Sequence, residues 1–262
     1  MARGRGEKVG EAGPSRSLDR VGEVLDRITA RPGGLSLADL HAATQIPRSS
    51  LYILLGSLAA QGIVQRDAAG TYRPGPALVR WAGRILRRLD MQQAALPVMT
   101  ALAQATGFVA NLGRLDAERG EVVFLAKVEA GPFSTTARVG SRMPLHSTAL
   151  GKVLLAFAPL EVRGRYLATG PLSARTSATI TDPERLSAHL DMVRATELAE
   201  DREENEPGVA AVAGPVRDWT GHVVAALSVA MPAETDAALR REVGEQVRRA
   251  ARRISEELGW EA

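Results

Sequence analysis

No cysteine occurs in the 262 residues, so disulfides and thiolate metal sites are excluded, and the composition fits a reducing cytoplasm. Histidine is scarce as well. His41, His146, His189 and His222 lie far apart and none sits in a His-Glu-x-x-His spacing, so neither a metal nor a cofactor is expected. No apolar run reaches the roughly 18 residues of a membrane-spanning helix, and the basic N-terminus lacks the apolar core of a signal peptide. The expectation is a soluble cytoplasmic protein without a membrane partner. Two catalytic signatures are also missing. GSRMPLHSTALGK holds Gly, Lys and Thr, but Val153 follows Lys152 where a phosphate loop needs Ser or Thr. His146 adjoins Ser147, yet no Gly-x-Ser-x-Gly elbow surrounds that serine. No catalytic residue is assigned, and the chain is not read as an enzyme.

What the chain does carry is concentrated between Leu35 and Tyr72. Ser36 can cap a short helix, Gln45-Ile46-Pro47 breaks it, and a second helix can begin at Arg48. In that second helix Leu51, Leu54, Leu55 and Leu58 form one apolar stripe, which leaves Ser49, Tyr52, Ile53 and Gly56 facing outward. Gly62 ends it, and IVQR-DAAG-TYR reads as a hairpin turning at Asp67 to Gly70. An earlier helix from Ser17, with Leu18, Val21, Val24, Leu25 and Ile28 on one face, completes a three-helix core. Together these make a winged helix-turn-helix, which lays its second helix in the major groove of duplex DNA. Charge agrees with that partner. Residues 1–90 carry 14 Lys and Arg against 8 Asp and Glu, whereas residues 91–262 carry 19 against 22, so the basic excess sits on the reader.

The remaining divisions follow from composition and period. Residues 1–16 are Gly-rich and charged, a disordered basic arm. The reader spans 17–78, and a linker helix spans 79–95, with Trp81, Ile85 and Leu86 as an apolar stripe among Arg80, Arg84, Arg87 and Arg88 and a kink or split at Pro97. Residues 96–262 read as an α+β domain with a mainly antiparallel sheet. Its strands are FVANLGRL, EVVFLAKV, STTARV, VAAVAGPVR and HVVAALSVAM; its helices open at Ser147 or Thr148, at Leu160, at Asp182 and at Thr235. The run Glu200 to Glu206 holds five acidic residues and reads as a solvated segment.

These stretches resemble one family, the bacterial isocitrate-lyase-regulator (IclR) type transcription factors, over nearly all of residues 17–260. The resemblance rests on LADLHAATQIPRSSLYILLGSL and GTYRPGPAL in the reader, and on VGSRMPLHSTALGKVLLAF, EENEPGVAAVAGPV and GHVVAALSVAMP behind it. It implies a winged-helix reader joined by a helix to a GAF-like effector-binding domain, working as a homodimer or dimer of dimers. Departures are visible: Gln45 stands where the turn usually has Gly, Ile53 where the recognition helix usually has Arg, Ala211 where relatives often carry Cys, and Ala230 where they often carry Ser.

Candidate sites follow. For DNA they are Arg48, Ser49, Ser50, Tyr52, Ile53, Arg66 and Arg73. For the effector the resemblance implies Gly140, Ser141, Asp201, Val209, Ala211 and Ser228. Physical chemistry adds that loop N–H groups at Gly140 and Ser141, and the helix start beside Ser147, suit the carboxylate of a small organic acid. Three functional readings stand at this point: a ligand-responsive regulator, most naturally a repressor; a DNA-binding protein whose second domain only oligomerises; and an enzyme with an accessory DNA-binding module. Ligand-dependent operator affinity separates the first from the others.

Overall fold

The computed structural model describes residues 16–86 and 90–261, so the arm at 1–15 and residues 87–89 lie outside the described residues. The chain divides into two compact units, one up to residue 88 and one from residue 89. The first contains α1 (Arg16–Thr29), α2 (Leu37–Thr44), α3 (Arg48–Ala60), β1 (Val64–Arg66), β2 (Tyr72–Pro74) and α4 (Pro76–Leu86). Its core gathers Val24 and Ile28 of α1, Leu40 of α2, and Leu51, Leu55 and Leu58 of α3 around Tyr72. Leu18, in the first turn of α1, is exposed rather than part of that core.

Local chemistry accounts for the turns of this unit. Ser36 and Asp39 form a reciprocal capping box at the start of α2. Gln45, at the end of α2, has φ +56°, the left-handed region where a glycine costs least. His41 Nδ1 donates to the Ile46 carbonyl at 2.8 Å across that turn. In the hairpin the Asp67 carboxylate accepts the Ala69 and Thr71 N–H groups, both at 3.0 Å, and Leu35 joins Tyr72 through a single isolated antiparallel bridge.

The second unit contains α5 (Met91–Thr106), β3 (Val109–Asp116), β4 (Glu121–Val128), β5 (Arg142–Pro144), α6 (Ala149–Phe157), α7 (Leu160–Leu167), α8 (Pro183–Thr196), β6 (Ala199–Arg202), β7 (Val209–Arg217), β8 (Val223–Pro232) and α9 (Ala237–Glu257). The strands form one antiparallel sheet in the order β5-β4-β3-β8-β7-β6. Side chains alternate between faces along each strand. Leu227, Val229 and Met231 pack with Val212, Met99 and Val247 on the α5 and α9 side. Ala226 and Ala213 pack with Leu154 and Leu190 on the α6 and α8 side. Helix α6 is buried all round, from Ala149 to Ala156, as an apolar helix wedged between a sheet and a second helix must be. The glycine of the PLHSTALGK stretch serves that packing: a Cβ on Gly151 would stand 2.4 Å from the Leu145 backbone.

The structure departs from the sequence reading in three elements. The helix expected over 79–95 is not continuous, because Asp90 is extended (φ −92°, ψ 106°) and its carboxylate caps α5 by accepting the Gln92 N–H. Pro97 lies inside α5 without ending it. STTARV is loop, and the edge strand is Arg142–Pro144 instead. The acidic run contributes strand β6, paired through Asp201 with Ala211. The side chains of Ile85 and Leu86, and residues Arg87 and Arg88, lie outside the described residues; of the apolar stripe, Trp81 is 44 % exposed beside Val79 at 73 %.

Candidate DNA-reading face and ligand cleft

The stripe of leucines that anchors α3 decides which residues a partner meets. Arg48, Ser49, Tyr52 and Ile53 are exposed on its outer face, with Ser50 half buried. Arg48 occupies the first turn directly after Pro47, and its position is set by proline ending the preceding segment. The wing carries Arg66 and Arg73. Arg66 pairs across the hairpin with Tyr72, and Arg73 with Gln65, so the pleat sends the two arginines to opposite faces. Arg66 lies 5.6 Å from the centre of the Tyr72 ring, while Arg73 Nε stands 3.3 Å from the Asp67 carboxylate.

In the second unit a cleft of about 420 Å³, counting its open mouth, lies over the α6 face of the sheet. Its floor follows from strand register. Asn111 of β3 pairs with Ser228 of β8, and Asp201 of β6 pairs with Ala211 of β7, which pairs with Ala230 of β8. Ala211 and Ala230 are thus direct neighbours, and their two small side chains deepen one spot of the floor. The walls are Phe124, Met143 and the first residues of α6, and loop residues Thr135 and Ala137 close over it. Thr136 donates to Glu206 at 2.7 Å, tying that loop to the turn after β6.

Polar groups in the cleft are unevenly satisfied. Thr148 caps α6 by accepting the Gly151 N–H at 3.0 Å, which leaves the Ala149 and Leu150 N–H groups without an intrahelical acceptor. Asn111 is 3 % exposed, and its Oδ1 has no hydrogen-bond partner among the described residues; the Thr135 hydroxyl is in the same position. Asp201 is 5 % exposed. Burial pushes its carboxyl up to about 7, against the opposing pull of Lys152 and of the Glu204 N–H, which it accepts at 2.8 Å. Lys152 itself is fully buried and donates to Glu204 Oε1 at 2.6 Å, whereas Glu204 Oε2 has no partner among the described residues. The lysine of the Gly-Lys pair is therefore a structural ion-pair partner, not a phosphate ligand.

His146 and Ser147 are also accounted for. His146 Nδ1 accepts from the Tyr166 hydroxyl at 2.7 Å and Nε2 donates to the Ser173 carbonyl at 3.0 Å, and burial holds this imidazole below its ordinary pKa. Ser147 donates to Asn205 Oδ1 at 3.0 Å. The two side chains point to separate partners.

Of the six effector candidates the cleft gathers Asp201, Val209, Ala211 and Ser228. Gly140 and Ser141 are not among its lining residues, and their N–H groups are already committed, to Phe124 O at 2.8 Å and Arg138 O at 2.9 Å. The loop thus has no free donors for a carboxylate at those positions. Gly140 instead serves a turn at φ +83°. Sequence reasoning passed over Asn111, Thr135, Asn205 and Glu206. Asn111 had a signal, a lone amide in an apolar strand; the other three are brought in by loops that carry none. Among the described residues no cluster of His, Asp or Glu suited to a metal ion occurs, and no helix is long and apolar enough to cross a membrane.

Comparison with known proteins adds independent observations. Residues 17–68 match the IclR helix-turn-helix domain, and residues 83–256 match the bacterial transcriptional regulator IclR C-terminal domain. The chain is 33 % identical to the HTH-type transcriptional regulator XynR of Escherichia coli over 251 residues, covering 94 % of this chain and 98 % of that one. The Agobacterium tumefaciens repressor BlcR superposes with a TM-score of 0.82 at 26 % identity, covering 94 % of this chain and 98 % of that chain. An IclR homologue from Microbacterium hydrocarbonoxydans, solved in complex with 4-hydroxybenzoate, gives 0.61 at 30 % identity, covering 92 % and 98 %. Reader, sheet and cleft thus converge on one assignment: the chain belongs to the IclR family of DNA-binding bacterial transcriptional regulators, with an effector-binding C-terminal domain, and is not an enzyme.

Proposed function

We propose that this regulator is a repressor released from its operator by a small organic acid bound in the cleft, and that it works as a homodimer or dimer of dimers. The observation that carries the ligand reading is the coincidence of unpartnered polar groups in one small cavity. Asn111 Oδ1, the Thr135 hydroxyl and the first N–H groups of α6 all border it, and buried groups of this kind are normally satisfied. A helix start favours the carboxylate of the ligand, while Phe124, Met143, Ala211 and Ala230 offer an apolar bed for its carbon skeleton. The homologue complexed with 4-hydroxybenzoate supports an acid of that size, and the repressor BlcR supports the sign of regulation. On the reader, Arg48 and the wing arginines Arg66 and Arg73 take phosphate contacts, and Ser49, Ser50, Tyr52 and Ile53 meet base edges. The exposed Val79 and Trp81 of α4 supply the apolar surface of the dimer contact.

A thermal-shift screen of small carboxylic and aromatic acids tests this reading, because a ligand at a hundredfold its Kd adds about 2.7 kcal/mol to stability. A hit must then weaken operator binding in a gel-shift titration. Stabilisation without any change in operator affinity would remove the regulatory role, and turnover of the ligand would move the assignment to an enzyme.

A further inference from the structure

The cleft proposed to hold an organic acid is lined by carboxyl groups and by no cation. Asp201 and Glu206 border it, and among its described lining residues none is Lys or Arg. The cation of α6, Lys152, acts on Asp201 from outside the lining, fully buried and committed to Glu204 at 2.6 Å. Meanwhile the feature that attracts a carboxylate, the start of α6, borders the same cleft as Asp201. Asn205 lines the same cleft, and its side-chain oxygen accepts from Ser147, one residue before the Thr148 cap of the helix. An acid seated on the α6 N–H groups therefore shares a cleft of about 420 Å³ with Asp201 and with the buried, unpartnered Asn111 Oδ1. Two ionised carboxylates cannot share such a desolvated site without a cation between them.

We propose that Asp201 recognises the ligand as a carboxylic acid, the ligand carboxylate and Asp201 sharing one proton, so that the cleft selects monocarboxylic acids and takes up a proton when it binds them. The proposal rests on the organic-acid reading of the cleft. The shared proton gives a short charge-assisted O–H···O⁻ hydrogen bond, and it lets a site without a cation hold an anion. A second carboxylate on the ligand would add another negative charge to a cleft that Glu206 already borders, which is why dicarboxylates are rejected. The burial that raises Asp201 to about 7 means that the neutral form is half populated at neutral pH before any ligand arrives. The charged groups acting on Asp201 are Lys152 from α6 and Glu204 from the turn after β6; Glu206 lines the same cleft, Glu200 and Arg202 flank Asp201 on β6 and point to the other face of the sheet, and the uncharged Ala211 pairs with it on β7. His146 and His189, on neighbouring elements, are both held below the ordinary imidazole value by burial, so neither supplies a titration at higher pH.

The test is calorimetric titration of the full-length protein with benzoate, lactate, succinate, benzamide and lactamide between pH 5.5 and 8.5. Benzoate or lactate should bind with constant affinity below about pH 7 and lose tenfold per pH unit above it, with uptake approaching one proton per ligand at pH 8.5. The amides should show no such loss, and succinate should bind at least tenfold more weakly than the better monocarboxylate. Asp201→Asn, whose amide mimics the neutral acid as a donor, should bind the acid with an affinity that no longer depends on pH. Acid binding that is flat with pH in the wild type, or equally pH-dependent in Asp201→Asn, overturns the proton-sharing proposal and leaves the organic-acid reading standing. Failure of both acids at every pH, with amide binding intact, overturns the organic-acid reading itself.

Discussion

Replacing Lys152 by methionine keeps the length and volume of the side chain and removes only its charge, which makes it a clean probe of the ion pair beneath the cleft. Lys152 has no exposed surface, its Nζ lies 2.6 Å from Glu204 Oε1, and the other Glu204 oxygen has no partner among the described residues. Without the ammonium, Glu204 is left as an uncompensated charge whose side chain is only 10 % exposed. Breaking such a pair costs about 3–5 kcal/mol, whereas replacing both members by neutral groups of similar volume is close to neutral. Lys152→Met should therefore destabilise by that amount in urea unfolding at pH 7 and fixed protein concentration. Lys152→Met combined with Glu204→Met should recover most of the loss, so that the two substitutions are strongly non-additive. A single variant that loses less than about 1 kcal/mol, or a double variant as unstable as the sum of the singles, would refute the claim that this lysine exists to neutralise Glu204.

Asp201 carries a second pH signature, in stability. Its carboxyl is raised from an ordinary value near 4 to about 7, so the folded state holds a proton that the unfolded state has released. The stability it contributes is fully present below about pH 4 and is lost as the pH rises through about 7, a total of about 4 kcal/mol. Urea titrations of the wild type and Asp201→Asn should therefore diverge by about that amount between pH 4 and pH 8, the wild type losing ground; parallel curves would contradict the raised value. Gln45→Gly relieves a left-handed backbone at φ +56° and gives up only the exposed bond from Gln45 Nε2 to Ala42 O. A gain of about 0.5–1 kcal/mol in the thermal unfolding of the reader is the expected outcome, and a loss would place the strain elsewhere. For the wing, Arg66→Ala and Arg73→Ala should each weaken specific and random DNA alike and reduce the salt slope by about one unit per phosphate contact removed. An unchanged slope in either variant would take that arginine out of the interface. Trp81→Glu should shift the sedimenting species toward monomer at micromolar concentration; an unaltered oligomer would move the dimer contact away from α4.

What the sequence determined about this protein is what short-range rules govern. The Ser36 cap, the break at Ile46-Pro47, the leucine stripe of α3 and the Asp67 turn each depend on residues within one or two turns of one another, and each is where the pattern puts it. The same holds for β7 and β8, whose alternation and turn signals span a single hairpin. Where a stretch lacked a strong period, reading failed: STTARV resembles a strand but pairs with nothing, and the acidic run hid β6 because charge masks alternation. The cleft was legible only in part, since the resemblance named Asp201, Val209, Ala211 and Ser228 but not how they meet. The tertiary structure decided that. It set Asn111 against Ser228 and Asp201 against Ala211 by strand register, joined Lys152 to Glu204 and Ser147 to Asn205 across more than 50 residues of chain, and used the Gly140 and Ser141 N–H groups to close a loop. No local rule can report such pairings, because the burial that raises Asp201 and strands Asn111 Oδ1 exists only once distant segments have packed against each other.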